Sequence, residues 1–188
     1  MKHLKRILYT FADYLIFALV TFIMLTTILP FALKGGIAKI ICTAITALMA
    51  WASLYSYYWN NARKDWRFIK SEKKRNPEFT GSFKFYYGFF ASLPFTVANA
   101  VLAFLAMNRD GIYAVVFKII NVCCMGFIMN DESVLNIAGV AVAVFMPLLV
   151  CTIGYIVGKT GFSITDRYLP WLIYKKPKDK TKNQKAVR

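Results

Sequence analysis

Apolar and polar residues fall into separate blocks along this chain. Runs with almost no charge occupy residues 7–33, 37–59, 85–107 and 134–157. A surface helix of a soluble protein instead interleaves the two kinds of residue with a 3.6-residue period. A helix needs about 20 apolar residues to cross a hydrocarbon layer of about 30 Å. Each block is long enough, so each is predicted to be a membrane-spanning helix. Lys34, Gly35 and Gly36 turn the chain between the first two. The second block ends in Trp51, Tyr55, Tyr57, Tyr58 and Trp59, ring types that favour the headgroup boundary. Its helix can continue through Arg63-Lys64-Asp65-Trp66-Arg67, and Asn76-Pro77 is expected to end it, because proline disfavours helix at the residue before it. Pro94 and Pro147 lie inside spans, where neighbouring groups can satisfy the freed carbonyls.

Residues 112–129 are apolar but short, and Lys118 and Asn121 interrupt them. Loop charge bears on whether they cross. Arg63, Lys64, Arg67, Lys70, Lys73, Lys74, Arg75 and Lys84 in the loop 60–84 face only Asp65, Glu72 and Glu78. The tail 158–188 carries nine Lys and Arg against Asp166 and Asp179. Basic loops stay on the cytoplasmic side. Five spans would put this tail outside. With four, the N-terminus, the loop and the tail all lie inside, and 112–129 becomes an interfacial or re-entrant helix at the outer face. Four is the expectation, with a fifth buried helix as its rival. The fold class predicted is therefore an all-α polytopic bundle in the cell membrane, with both termini cytoplasmic. The start, Met1-Lys2-His3-Leu4-Lys5-Arg6, has the form of a signal peptide. Its apolar run outlasts the ~7–15 residues of a cleavable core, so it reads as an uncleaved anchor.

Composition narrows the chemistry. The net charge of +15 comes from segments too short to fold by themselves, which argues against a nucleic-acid partner and for the lipid bilayer and anionic headgroups. Cys42, Cys123, Cys124 and Cys151 all sit in apolar blocks without C-x-x-C spacing, and read as free apolar residues. The single His3 is at the terminus, which removes H-E-x-x-H zinc chemistry and Ser-His triads. Gly158-Lys159-Thr160 lacks the earlier glycine of a phosphate loop, position 153 being Ile. No cofactor is expected.

Several residues remain as candidates. Gly154 and Gly158 form a G-x-x-x-G pair, and Gly139 and Ala143 a second small pair. Such pairs let helices approach closely, within one chain or in a homodimer. Asp13 and Lys118 are charges inside apolar blocks. Asp13 is placed near the inner boundary within reach of Lys or Arg, and Lys118 at the outer headgroups. Trp66 and Arg67, and in the tail Tyr168, Trp171, Tyr174, Lys175 and Lys176, suit a lipid surface. Ser163 to Asp166 opens the tail helix with a capping-box-like start.

The basic start, the paired spans, Asn61-Ala62-Arg63-Lys64-Asp65, the proline-bearing span, and the ending from Gly154-Tyr155-Ile156-Val157-Gly158-Lys159 to Tyr174-Lys175-Lys176 form an ordered set. In that order the chain resembles small uncharacterised bacterial membrane proteins with several spans and basic cytoplasmic loops. The resemblance implies no activity, substrate or catalytic residue. The function expected is that of a non-enzymatic accessory or interaction component, with a membrane-protein partner or a second copy. The alternatives are a small transporter or channel subunit, and an intramembrane enzyme without a recognisable motif. A transporter needs polar groups at mid-membrane, and here these are few: Thr43, Thr46, Ser92, Thr96 and Asn99.

The tail yields a direct test. A peptide of residues 160–182 should bind anionic vesicles with a blue shift of Trp171 emission, and bind neutral vesicles poorly. Each cation near an anionic surface is worth ~1 kcal/mol, screened by salt. Binding that is indifferent to salt would leave only the aromatic anchor.

Overall fold

A computed structural model describes residues 2–32, 37–108, 111–129 and 135–161. They form six helices: α1 (Lys2–Ala32), α2 (Ile37–Arg75), α3 (Tyr87–Asn108), α4 (Ile112–Ile120), α5 (Met125–Ile128) and α6 (Ile137–Thr160), with a 3-10 turn at Val122–Cys124. Four of these, α1, α2, α3 and α6, are long and apolar enough to cross a membrane. The architecture is an all-α bundle.

The ends follow local chemistry. The apolar span ends at 59, and the helix continues beyond it as the sequence allowed: α2 runs on for 16 residues to Arg75, about 24 Å further, and stops before Asn76-Pro77. Lys73, Lys74 and Arg75 fill its last turn, where cations offset the partial negative charge of the unpaired carbonyls. Asn76 then turns the chain, its Oδ1 accepting from the Glu78 N–H at 3.0 Å. The last span was expected at 134–157 and is instead Ile137–Thr160. Asn136 caps its start by accepting from the Ala138 N–H at 3.1 Å. Gly161 ends it with φ 70°, a left-handed conformation that glycine adopts without strain.

Residues 112–129, expected as one helix, are broken. The Asn121 side chain donates to the Phe117 carbonyl at 3.1 Å and also bonds Asn99, so its amide competes with the helical ladder at that point. The backbone reverses through the 3-10 turn, and the two arms form a hairpin. Its descending arm, α4, brings Asn121 level with Asn99 of α3. The returning arm climbs α2: Thr46 donates to the Cys123 carbonyl, Gly126 lies against Thr43, and Lys39 donates to the Met129 carbonyl. The α2 numbers fall as the hairpin numbers rise, so the hairpin leaves at the end where it entered.

Packing is closest where side chains are smallest. A Cβ on Gly154 would stand 2.9 Å from the Tyr55 carbonyl oxygen, and one on Gly158 would stand 2.5 Å from that of Trp59 and 2.7 Å from the Ala62 Cβ. The G-x-x-x-G pair is thus spent on α6 against α2 inside the chain. Gly139 faces the Phe127 carbonyl with no room for a Cβ, and Ala143 is fully buried. Large aliphatic and aromatic side chains such as Leu19, Ile41, Phe104 and Phe145 point outward instead.

Replacing Gly158 by Leu forces α6 off α2. We expect a loss of ~1–3 kcal/mol, the usual cost of overpacking a tight contact. It should appear as a lower unfolding midpoint in detergent, whereas Ile156→Leu on the exposed face should leave the midpoint in place. An unmoved midpoint for Gly158→Leu would show that this contact is loose.

Candidate functional site

Two buried polar clusters lie along the bundle, and α1 contributes to both. Its buried polar residues, Arg6, Thr10, Asp13 and Thr21, recur at helical spacing and mark one stripe on the helix. On α2 the inward row is Leu54, Tyr58 and Ala62, and Asp65 follows at the same period.

The first cluster closes the basic end. The Arg6 Nη2 donates to Asp65 Oδ2 at 2.6 Å, and the Tyr155 hydroxyl donates to the same oxygen at 2.7 Å. Charge-assisted bonds of this kind are short and strong. One carboxylate therefore ties α1, α2 and α6 together. Arg6 is 9% exposed and Asp65 27%. The Arg6 guanidinium also lies 5.7 Å from the Tyr155 ring centroid. Phe83, from the segment between α2 and α3, inserts beside them. It stacks on Tyr155 at 5.2 Å and meets Trp66 edge-on at 6.1 Å. Lys159 covers both Trp66 and Phe83, at 5.4 and 5.6 Å. An open cavity of about 220 Å³ lies here, lined by Arg6, Asp65, Phe68, Ile69, Ser82, Phe83, Lys84, Tyr87 and Tyr155. Lys84 is exposed at its rim, and its pKa stands above the ordinary lysine value, first through a hydrogen bond with Tyr87.

The second cluster surrounds the hairpin tip at mid-bundle. Asn99 and Asn121 exchange amide bonds, at 3.0 Å in one direction and 2.8 Å in the other. The Tyr14 hydroxyl donates to Asn121 Oδ1 at 3.3 Å, and the Cys123 thiol donates to the Tyr14 oxygen at 3.6 Å. The Cys123 and Cys124 sulfurs are 3.8 Å apart. Between the clusters, Thr10 and Tyr58 share a 2.6 Å bond, and Ser53 donates to both oxygens of Asp13.

The candidates of the sequence reading fall as follows. Asp13 is buried, but its partner is Ser53, whereas Arg6 reaches across to Asp65. Lys118 is half-buried in the last turn of α4, about 9 Å along the helix from Ile112 and three residues before Asn121. Trp66 is half-buried under Lys159 and against Phe83, while its neighbour Arg67 is exposed. Tyr168, Trp171, Tyr174, Lys175 and Lys176 lie outside the described residues, as does the predicted cap at Ser163 to Asp166. Arg6, Asp65, Tyr155 and Tyr14 were not singled out as site residues from the sequence, and Asn121 only as an interruption of the 112–129 run. The helical stripes on α1 and α2 carry the signal for Arg6 and Asp65. Tyr14 and Asn121 needed the hairpin fold. Among the described residues no group of three His, Cys, Asp or Glu is placed to hold a metal.

The two amides at the tip should behave as a unit. Asn99→Leu or Asn121→Leu leaves its partner unpaired and should cost ~1–2 kcal/mol. The double variant should cost less than the two singles together, read as unfolding midpoints in detergent. Strict additivity would deny the pairing.

Comparison of the chain with protein-family models, with curated proteins and with solved structures gives no match.

Proposed function

We propose that this chain is a non-enzymatic accessory or interaction component of the membrane, with its basic end on the cytoplasmic side. One observation carries the reading: the mid-span polar groups are closed on themselves. Thr43, Ser92 and Thr96 each donate to the carbonyl four residues back in their own helix, and the Thr46 hydroxyl is taken by the Cys123 carbonyl of the hairpin. Such bonds leave the hydroxyl occupied and require no solute. Asn99 reaches across, and what it meets is Asn121.

The orientation rests on charge. The basic start of α1, the basic extension of α2 and the end of α6 meet in the Arg6–Asp65–Tyr155 cluster, and positive segments are retained on the cytoplasmic face. The extension stands clear of the apolar part of α2 and offers a cationic helix to anionic headgroups or to an acidic membrane partner.

A small transporter or channel subunit is the second reading, and the hairpin favours it. Irregular backbone at membrane depth is tolerated where protein surrounds it or where it lines an aqueous path.

Reconstituted chain in sealed vesicles should show no solute-dependent flux above that of empty vesicles. Robust flux, abolished by Asn121→Leu, would replace the accessory reading with the transporter. For orientation, Lys70→Cys and Lys180→Cys, each in a background lacking the four natural cysteines, should resist an impermeant maleimide added outside intact cells. Labelling of the residue at 180 from outside would overturn the shared cytoplasmic side.

A further inference from the structure

The cavity at the basic end has a one-sided charge. Among the described residues Asp65 is the one acid that lines it, and its Oδ2 already accepts from Arg6 and Tyr155. Lys84 also lines the cavity and stands exposed, and Lys159 lies over the Phe83 ring at 5.6 Å. A guanidinium has five N–H donors in a fixed fork, so Arg6 has donors beyond the one bonded to Asp65. Ser82 adds a hydroxyl to the lining. Such a cavity suits an anionic occupant rich in hydrogen-bond acceptors.

Its surroundings identify the source of that anion. Lys84 lies three residues before the start of α3, where the chain enters an apolar span. Phe85 and Tyr86 beside it are exposed, and so is Phe68, which lines the cavity itself. Exposed aromatic rings mixed with cations at the start of a span mark the headgroup boundary. A free soluble anion has no use for this apolar flank. A phospholipid covers it with acyl chains while its phosphate reaches the cations.

We propose that the cavity holds the phosphate headgroup of one anionic phospholipid, with Lys84 and Ser82 at the rim and Arg6 beneath. The proposal rests on the basic end facing lipid headgroups, and narrows that diffuse attraction to one site. It does not depend on the outcome of the flux measurement.

The test uses the full chain in nanodiscs of phosphatidylcholine with a minor share of phosphatidylglycerol. Native mass spectrometry counts the lipids retained after release into detergent. Wild type should keep one phosphatidylglycerol in preference to phosphatidylcholine. Lys84→Gln should lower that retention about fivefold, and Lys84→Arg should preserve it. Lys70→Gln, the same charge change on the exposed α2 extension, should leave it unchanged, as should glutamine at Lys175, Lys176, Lys178 and Lys180 together. Equal retention of both lipids would overturn the proposal. So would unchanged retention in Lys84→Gln, or loss on neutralising the tail alone, which would mean diffuse attraction only. Full displacement by inorganic phosphate would assign the cavity to a free anion and remove the lipid.

Discussion

Asp65 has to be compensated, and that requirement organises the rest. Its carboxylate lies partly covered at the end of the bundle, where an unpaired charge is costly. It takes one bond from Arg6 near the start of α1 and one from Tyr155 near the end of α6. Both helix ends are thereby held at the end of the bundle where α2 leaves the apolar core. Connectivity does the rest. α1, α2 and α3 make three traverses, and α6 must begin at the opposite end for Tyr155 to arrive beside Asp65. The segment between α3 and α6 therefore has to return to the end from which it set out. A hairpin does this, and a single traverse does not.

The hairpin then meets a second constraint. Its turn brings backbone and side-chain polar groups to the middle of the bundle, where water is not at hand to satisfy them. The Asn99–Asn121 pair, the Tyr14 hydroxyl and the donation from Thr46 to the Cys123 carbonyl answer that need. Elsewhere small residues make up much of the helix contacts. Ala47, Ala50, Ala62, Ala91, Ala103, Ala106 and Ala143 are buried beside a few large side chains such as Leu54, Phe117 and Ile128, while many bulky aliphatics, Leu19 and Ile41 among them, face outward. In a soluble protein the burial of large apolar side chains drives helices together. Against lipid that advantage vanishes, so close backbone contact and interhelical hydrogen bonds carry the association.

The amino-acid pattern reveals this fold to a definite depth. Four long helices are legible because twenty uncharged residues have few other fates, and the break at Asn76-Pro77 is legible because proline disfavours helix before it. The continuation of α2 past Trp59 is legible as far as Arg67, and the proline after Asn76 marks where it has to stop, but its cations alone do not say that Asp65 continues the inward row of Leu54, Tyr58 and Ala62. The interruption at Asn121 is visible as a polar residue in an apolar run, but its consequence is not. Whether an asparagine breaks a helix or merely decorates it depends on a partner, here Asn99, 22 residues away in sequence. Asp13 shows the same limit. Proximity in sequence suggested a cation from the first turn, yet Arg6 is claimed by Asp65 and Asp13 is left to Ser53.

α1 joins the two constraints mechanically. Arg6 belongs to the basic-end cluster and Tyr14 to the hairpin tip, eight residues apart on one helix, about 12 Å along its axis. Thr10 and Asp13 lie between them and bond Tyr58 and Ser53 of α2. A slide of α1 by one turn, about 5.4 Å, would break the bonds at both clusters together, because one rigid helix fixes their spacing. The cavity beside Arg6 and the hairpin tip are therefore not independent features. Arg6 and Tyr14 share one rigid helix, and Tyr14 in turn bonds the Asn121 that ends α4.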